Sequence, residues 1–133
     1  MKPSIALLDV NVLVALFDPD HLHHEPAHRW FENQRLHGWA TCPLTENALI
    51  RVLSNPAYTP NAELPSLTVA RLRTFREGDG HTFWPADVSL SDPGVLVREA
   101  PLSHRNLTDL YLLSLAVRRN GRLATFEDRK SVV

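Results

Sequence analysis

The chain has 133 residues, 44% apolar and 22% charged, with a formal net charge of −1. This length and balance fit one globular domain (residues 1–133) able to bury a sizeable core. They exclude a disordered chain and a strongly basic surface, so a nucleic-acid partner would require clustered basic residues. Twelve of the fourteen basic residues are Arg. The guanidinium fork suits phosphate, but a GC-rich genome accounts for the same usage more simply. The single cysteine, Cys42, excludes an internal disulfide and fits a reducing cytoplasm. It has no cysteine partner for a zinc motif and reads as structural. At the N-terminus Lys2 is followed by a brief apolar run that meets Asp9, which is not a signal-peptide pattern, and no run approaches the length of a membrane span. The expectation is a cytoplasmic protein without membrane contact.

The first element is Ile5-Ala6-Leu7-Leu8, an apolar run fitting a buried strand and ending at Asp9. A second apolar run, Val12 to Phe17, is long enough for about two helical turns. Asp18-Pro19-Asp20 begins a loop. A helix is expected from about His23 to Arg35, with Ala27, Trp30 and Phe31 on one face. His21, His23, His24 and His28 cluster around its start. His24-Glu25-Pro26-Ala27-His28 matches the zinc-protease pattern His-Glu-x-x-His, but Pro26 places it at a helix entrance and not in the helix interior that such a site needs. Solvated histidines at a helix start are the expectation.

Gly38 to Thr41 is a second short strand, and Pro43 opens a helix through Leu53, with Thr41 or Cys42 before it and Leu49, Val52 and Leu53 facing inward. Glu46 falls in its first turn. Ser54-Asn55-Pro56 stops it, and a loop runs to Pro65. A helix from roughly Ser66 to Glu77 carries Arg71, Arg73 and Arg76, an exposed face more simply than an RNA contact. His81 to Trp84 is a third strand. Asp87 to Arg105 gives weak signals, a short helix and a loop with His104. Asn106 to Val117 is apolar nearly all round and is expected to be a deeply buried helix, capped by Asn106 or Thr108, with Asp109 in its first turn. Arg118, Arg119 and Asn120-Gly121 close it. Arg122 to Phe126 is a last strand, followed by Glu127-Asp128.

Asp9, Glu46, Asp109 and Glu127 or Asp128 each stand at a strand end or helix entrance. Each alone reads as a cap. Together they can converge at one edge of a parallel sheet, where open α/β folds place their sites. Close carboxylates repel one another, and a divalent cation with oxygen ligands offsets that repulsion. Bound Mg²⁺ or Mn²⁺ could activate a water for attack on a phosphodiester.

The ordered set resembles a PIN-domain ribonuclease of the VapC toxin type. The resemblance rests on Leu7-Leu8-Asp9-Val10-Asn11-Val12-Leu13, Thr45-Glu46-Asn47, Arg51-Val52-Leu53-Ser54-Asn55-Pro56, Leu107 to Ala116, and Gly121 to Phe126. It implies a PIN-like three-layer α/β fold, a central parallel sheet of four or five short strands flanked by helices, and an acidic Mg²⁺- or Mn²⁺-dependent site. By motif position Asp9, Glu46, Asp109 and Glu127 are the implied catalytic acids, Asp9 and Asp109 the metal ligands. Glu46 completes the shell or positions the attacking water. Asn11 and Thr125 support the site by hydrogen bonding. The family usually places Asp two residues after the Thr125 position; here Glu127 stands there with Asp128 beside it, and either acid can complete the site. The family often continues into another short strand where this chain ends at Val133. The implied partners are RNA (transfer or ribosomal), a cognate antitoxin and a second copy of the chain. Three other readings stand beside a toxin endoribonuclease: a PIN nuclease of RNA processing, a degenerate PIN-like domain that binds RNA or protein without cutting, and a zinc protein using the histidines.

Overall fold

The run Ala6-Leu7-Leu8 has no polar side chain, and it forms strand β1 (Ala6–Leu8) with all three residues buried. A computed structural model of the chain, describing residues 4–93 and 103–126, places this strand inside a four-stranded sheet among those residues. It is followed by α1 (Val10–Phe17), α2 (His24–Gln34), β2 (Trp39–Thr41), α3 (Pro43–Leu53), α4 (Pro65–Arg76), β3 (His81–Phe83), α5 (Leu107–Arg118) and β4 (Arg122–Ala124). The strand order is β3-β2-β1-β4, and every pairing is parallel. The expected α/β class and parallel sheet are met. The expected helix in the weak stretch does not appear in residues 87–93 or 103–105, and residues 94–102 lie outside the described residues.

Side chains alternate across a strand, and each face of the sheet carries its own core. Ala6, Leu8, Trp39 and Ala124 meet α1 to α4 through Leu13, Phe31, Leu49 and Leu72. Leu7, Ala40 and Leu123 meet α5 through Leu112, Leu115 and Ala116, with Trp84 and Val88. β1 is buried on both faces, as a strand interior to a parallel sheet must be. α5 departs from expectation. Leu107 and Val117 are 42% and 41% exposed, so the helix packs by one face on the short sheet and is not enclosed.

The end of α5 explains two residues that the sequence merges. Asn120 takes the left-handed conformation, φ 58°, and the Asn120 and Gly121 amides donate to Val117 O (3.0 Å) and Ala116 O (2.8 Å). This is a Schellman ending with Asn at the left-handed position. Gly121 is needed for space: a Cβ there would lie 2.6 Å from Ile5 O and 2.6 Å from the Trp84 ring.

The histidine cluster closes α1. A helix leaves its last four carbonyls without partners, and in α1 each finds one. Val14 O accepts from the Asp18 amide (2.9 Å), Ala15 O from His24 Nδ1 (2.7 Å), Leu16 O from His28 Nε2 (3.1 Å) and Phe17 O from Arg71 Nη2 (2.5 Å). His24 and His28 are therefore half-buried caps and not the solvated residues expected. One ring nitrogen of each donates to a carbonyl, and among the described residues no group of three His, Cys, Asp or Glu side chains could hold a metal ion.

Candidate active site

The chain leaves β1 toward β2 and β3 on one side, then returns through α5 to place β4 on the other. The crevice between the C-terminal ends of β1 and β4 is thus a topological switch point, the usual ligand site of an open parallel sheet. Asp9 follows β1 directly. Its amide donates to Ala124 O (3.0 Å), which ties it to the end of β4. Its carboxylate accepts from the Val10 amide (2.7 Å) at the N-terminus of α1, where the helix dipole favours negative charge. The residue is only 6% exposed. A cap needs no such burial, and burying a carboxylate is costly unless something balances it.

Asn11, in the first turn of α1, donates from Nδ2 to Thr125 Oγ1 just beyond β4 (3.1 Å). This bond bridges the crevice. Asn11 Oδ1 is buried and has no hydrogen-bond partner among the described residues. α5 reaches the same edge from the other face. Its far end joins β4 where the Arg122 amide donates to Ile5 O (3.0 Å), at the N-terminal edge of the sheet. Its 12 residues span about 18 Å, so its first turn, with half-buried Asp109, lies at the C-terminal edge. Asp9, Asn11 and Thr125 meet at this edge, and Asp109 stands in the turn of α5 that faces it. Glu127 and Asp128 lie outside the described residues.

Glu46 sits one strand over, in the first turn of α3. Its Oε2 accepts from Thr41 Oγ1 (2.6 Å) and pairs with Arg76 Nη1 (3.3 Å). Thr41 Oγ1 also lies 2.8 Å from His81 Nε2. A hydroxyl has one proton. Because Thr41 gives it to the carboxylate, His81 Nε2–H must donate to Thr41. Burial, then the Arg76 charge, lowers the His81 pKa to about 4, so the ring is neutral at pH 7. Among the described residues no three His, Cys, Asp or Glu side chains form a group that could hold an ion. The donors at the crevice are nonetheless oxygens, with one buried amide oxygen to spare, a set suited to a hard cation. The described residues contain no helix long and apolar enough to cross a membrane.

Sequence reasoning missed Thr41, His81 and Arg76. Thr41 had a local signal, a polar residue at the end of an apolar strand. His81 and Arg76 had none, since they meet Glu46 only through the tertiary fold. Of the three arginines on α4, Arg71 pairs with Glu63 (2.6 Å) and Arg76 with Glu46, which leaves Arg73 as the exposed one.

A doubly covered parallel sheet with a buried carboxylate at its switch point is the architecture of a PIN domain. The family model for the PIN domain matches residues 6–131, and the chain belongs to that family. It is 45% identical over 122 residues to Mycobacterium tuberculosis Ribonuclease VapC39, covering 92% of this chain and 88% of the relative. Ribonuclease VapC44 of the same organism is 43% identical over 122 residues (92% and 85% covered). Ribonuclease VapC38 is 45% identical over 125 residues (92% and 85% covered).

Proposed function

We propose that this PIN-domain chain is a toxin endoribonuclease of the VapC type, which hydrolyses RNA phosphodiester bonds at the β1–β4 crevice. The observation that carries the reading is the burial of Asp9 at the switch point, beside the Asn11–Thr125 bridge and on the edge reached by the start of α5. The similarity to three proteins named as VapC ribonucleases supports it.

Asp9 and Asp109 are the residues that would hold Mg²⁺ or Mn²⁺, with Glu127 or Asp128 completing the carboxylate set. A cation bound there supplies charge neutralisation at the phosphate and acidifies water. Asn11 holds Thr125 and through it the end of β4. Glu46 orients the attacking water and accepts its proton. The proposed partners are RNA, a cognate antitoxin protein and a second copy of the chain, in the cytoplasm.

The test is incubation of the purified chain with total and transfer RNA in Mg²⁺, in Mn²⁺ and in EDTA. Cutting that requires a metal is expected. The Glu46–Arg76 ion pair favours a second reading, a domain that binds RNA or protein without cutting. A folded chain that retains RNA on a filter but cuts none with either metal would select that reading.

A further inference from the structure

We propose that Thr41 and His81 are positioning residues for Glu46, fixing its carboxylate through a hydrogen-bond relay that runs from β3 across the end of β2 to the entrance of α3. This rests on the nuclease reading of Glu46. The relay is directional: His81 Nε2–H donates to Thr41 Oγ1 (2.8 Å), and Thr41 donates to Glu46 Oε2 (2.6 Å). Its middle member is fully buried, Thr41 being 0% exposed. Its first member is braced by Trp39, whose ring lies 4.6 Å from the His81 ring. Trp39 is itself fixed, its Nε1 donating to Asp79 O (2.9 Å). The relay is therefore anchored in the core and ends on a carboxylate.

Its consequence for Glu46 is an asymmetry. Oε2 takes the Thr41 hydroxyl, while Oε1 accepts a 3.4 Å hydrogen bond from Arg76 Nη1, which lies 3.3 Å from Oε2. Oε1 remains able to accept a water. The Arg76 guanidinium neutralises the carboxylate and takes one of the two acceptor positions of Oε1, and is itself held over the Phe83 ring, 5.0 Å from its centroid. Three elements thus aim one oxygen. A small error in aim is costly in catalysis: a misplacement of about 1 Å can lower a rate by about a hundredfold.

The experiment compares wild type with Thr41→Val, Thr41→Ser and His81→Phe. Valine keeps the shape and removes the hydroxyl; serine keeps the hydroxyl. The readouts are kcat and KM for RNA cleavage in Mn²⁺, together with the imidazole tautomer of His81 in the metal-free chain by long-range 1H–15N NMR. Wild type should show a neutral ring protonated on Nε2. Thr41→Val and His81→Phe should lose about ten- to a hundredfold in kcat with KM changed less than about twofold, a loss confined to the chemical step. Thr41→Ser should recover most of that loss. If Thr41→Val does not fold, His81→Phe on the edge strand carries the test: the same kcat loss supports the relay, and wild-type kcat overturns it. A wild-type His81 protonated on Nδ1, or a folded Thr41→Val that cuts as fast as a cutting wild type, overturns the relay alone. A wild-type chain that cuts no RNA in either metal overturns the nuclease reading, and the relay's catalytic role with it.

Discussion

Asp9→Asn separates the two roles that one carboxylate can play. Asp9 accepts the Val10 amide through Oδ1 at 2.7 Å, and asparagine keeps an oxygen there. The cap therefore survives, while the charge and the second acceptor oxygen are lost. Losing a negative charge at a helix N-terminus costs about 0.3–1 kcal/mol. Removing one of several neighbouring acids works in the opposite direction. Unfolding entropy is about 2.1 cal/mol/K per residue, so each kcal/mol shifts Tm by about 3–4 °C in a chain of this size. The expected change for Asp9→Asn is within about 4 °C in EDTA. Asp9→Ala also deletes the cap, which costs about 1 kcal/mol more, and should melt lower still. Cleavage should be lost in both. The assay is thermal unfolding by circular dichroism in EDTA beside RNA cleavage in Mn²⁺. An Asp9→Asn chain that cuts at the wild-type rate, or that fails to fold, would refute the separation of cap from catalysis.

His24→Ala and His28→Ala should each cost about 0.5–1.5 kcal/mol, since each removes one hydrogen bond from the end of α1. The double variant should lose less than the two together, because the rings meet at 4.4 Å. Zinc that raises the wild-type Tm but not that of the double variant would restore the metal reading of this cluster. Gly121→Ala should destabilise by about 1–3 kcal/mol, for want of space beside Ile5 and Trp84; calorimetry showing an unchanged Tm would contradict the packing described there. His81 gives a pH dependence. Its pKa is lowered in the fold to about 4 from an ordinary 6.5, so the unfolded chain takes up the proton first as pH falls. The contribution is present above pH 6.5 and is lost as pH falls toward 4. Urea unfolding of His81→Gln between pH 7 and 4 should therefore show a shallower loss of stability than wild type.

Much of the fold was legible because its signals are local. The run Ile5–Leu8, the proline that opens α3, and the apolar stretch of α5 each announce an element within a dozen residues. Asp9 and Glu46 were legible for the same reason, each sitting where a strand gives way to a helix. The role of the histidines was not. Nothing in His24-Glu25-Pro26-Ala27-His28 says that both rings turn back to the carbonyls of Ala15 and Leu16. That arrangement depends on how α2 packs against α1. The setting of Glu46 was hidden in the same way, since Arg76 and His81 reach it only once α4 and β3 are in place. The exposure of Leu107 and Val117 misled the periodicity because a short sheet offers α5 only one face to cover.

The most direct test of the nuclease account is RNA cleavage by wild type and Asp109→Asn side by side in Mn²⁺, with Mn²⁺ binding measured on the same preparations by calorimetry. Asp109 lies in the first turn of α5, far along the chain from Asp9, and matters to cleavage only if the two meet at the crevice. Metal-dependent cutting by wild type, with both cutting and Mn²⁺ binding lost in a folded Asp109→Asn, is the expected result. A folded Asp109→Asn chain that binds Mn²⁺ and cuts RNA as wild type does would contradict it.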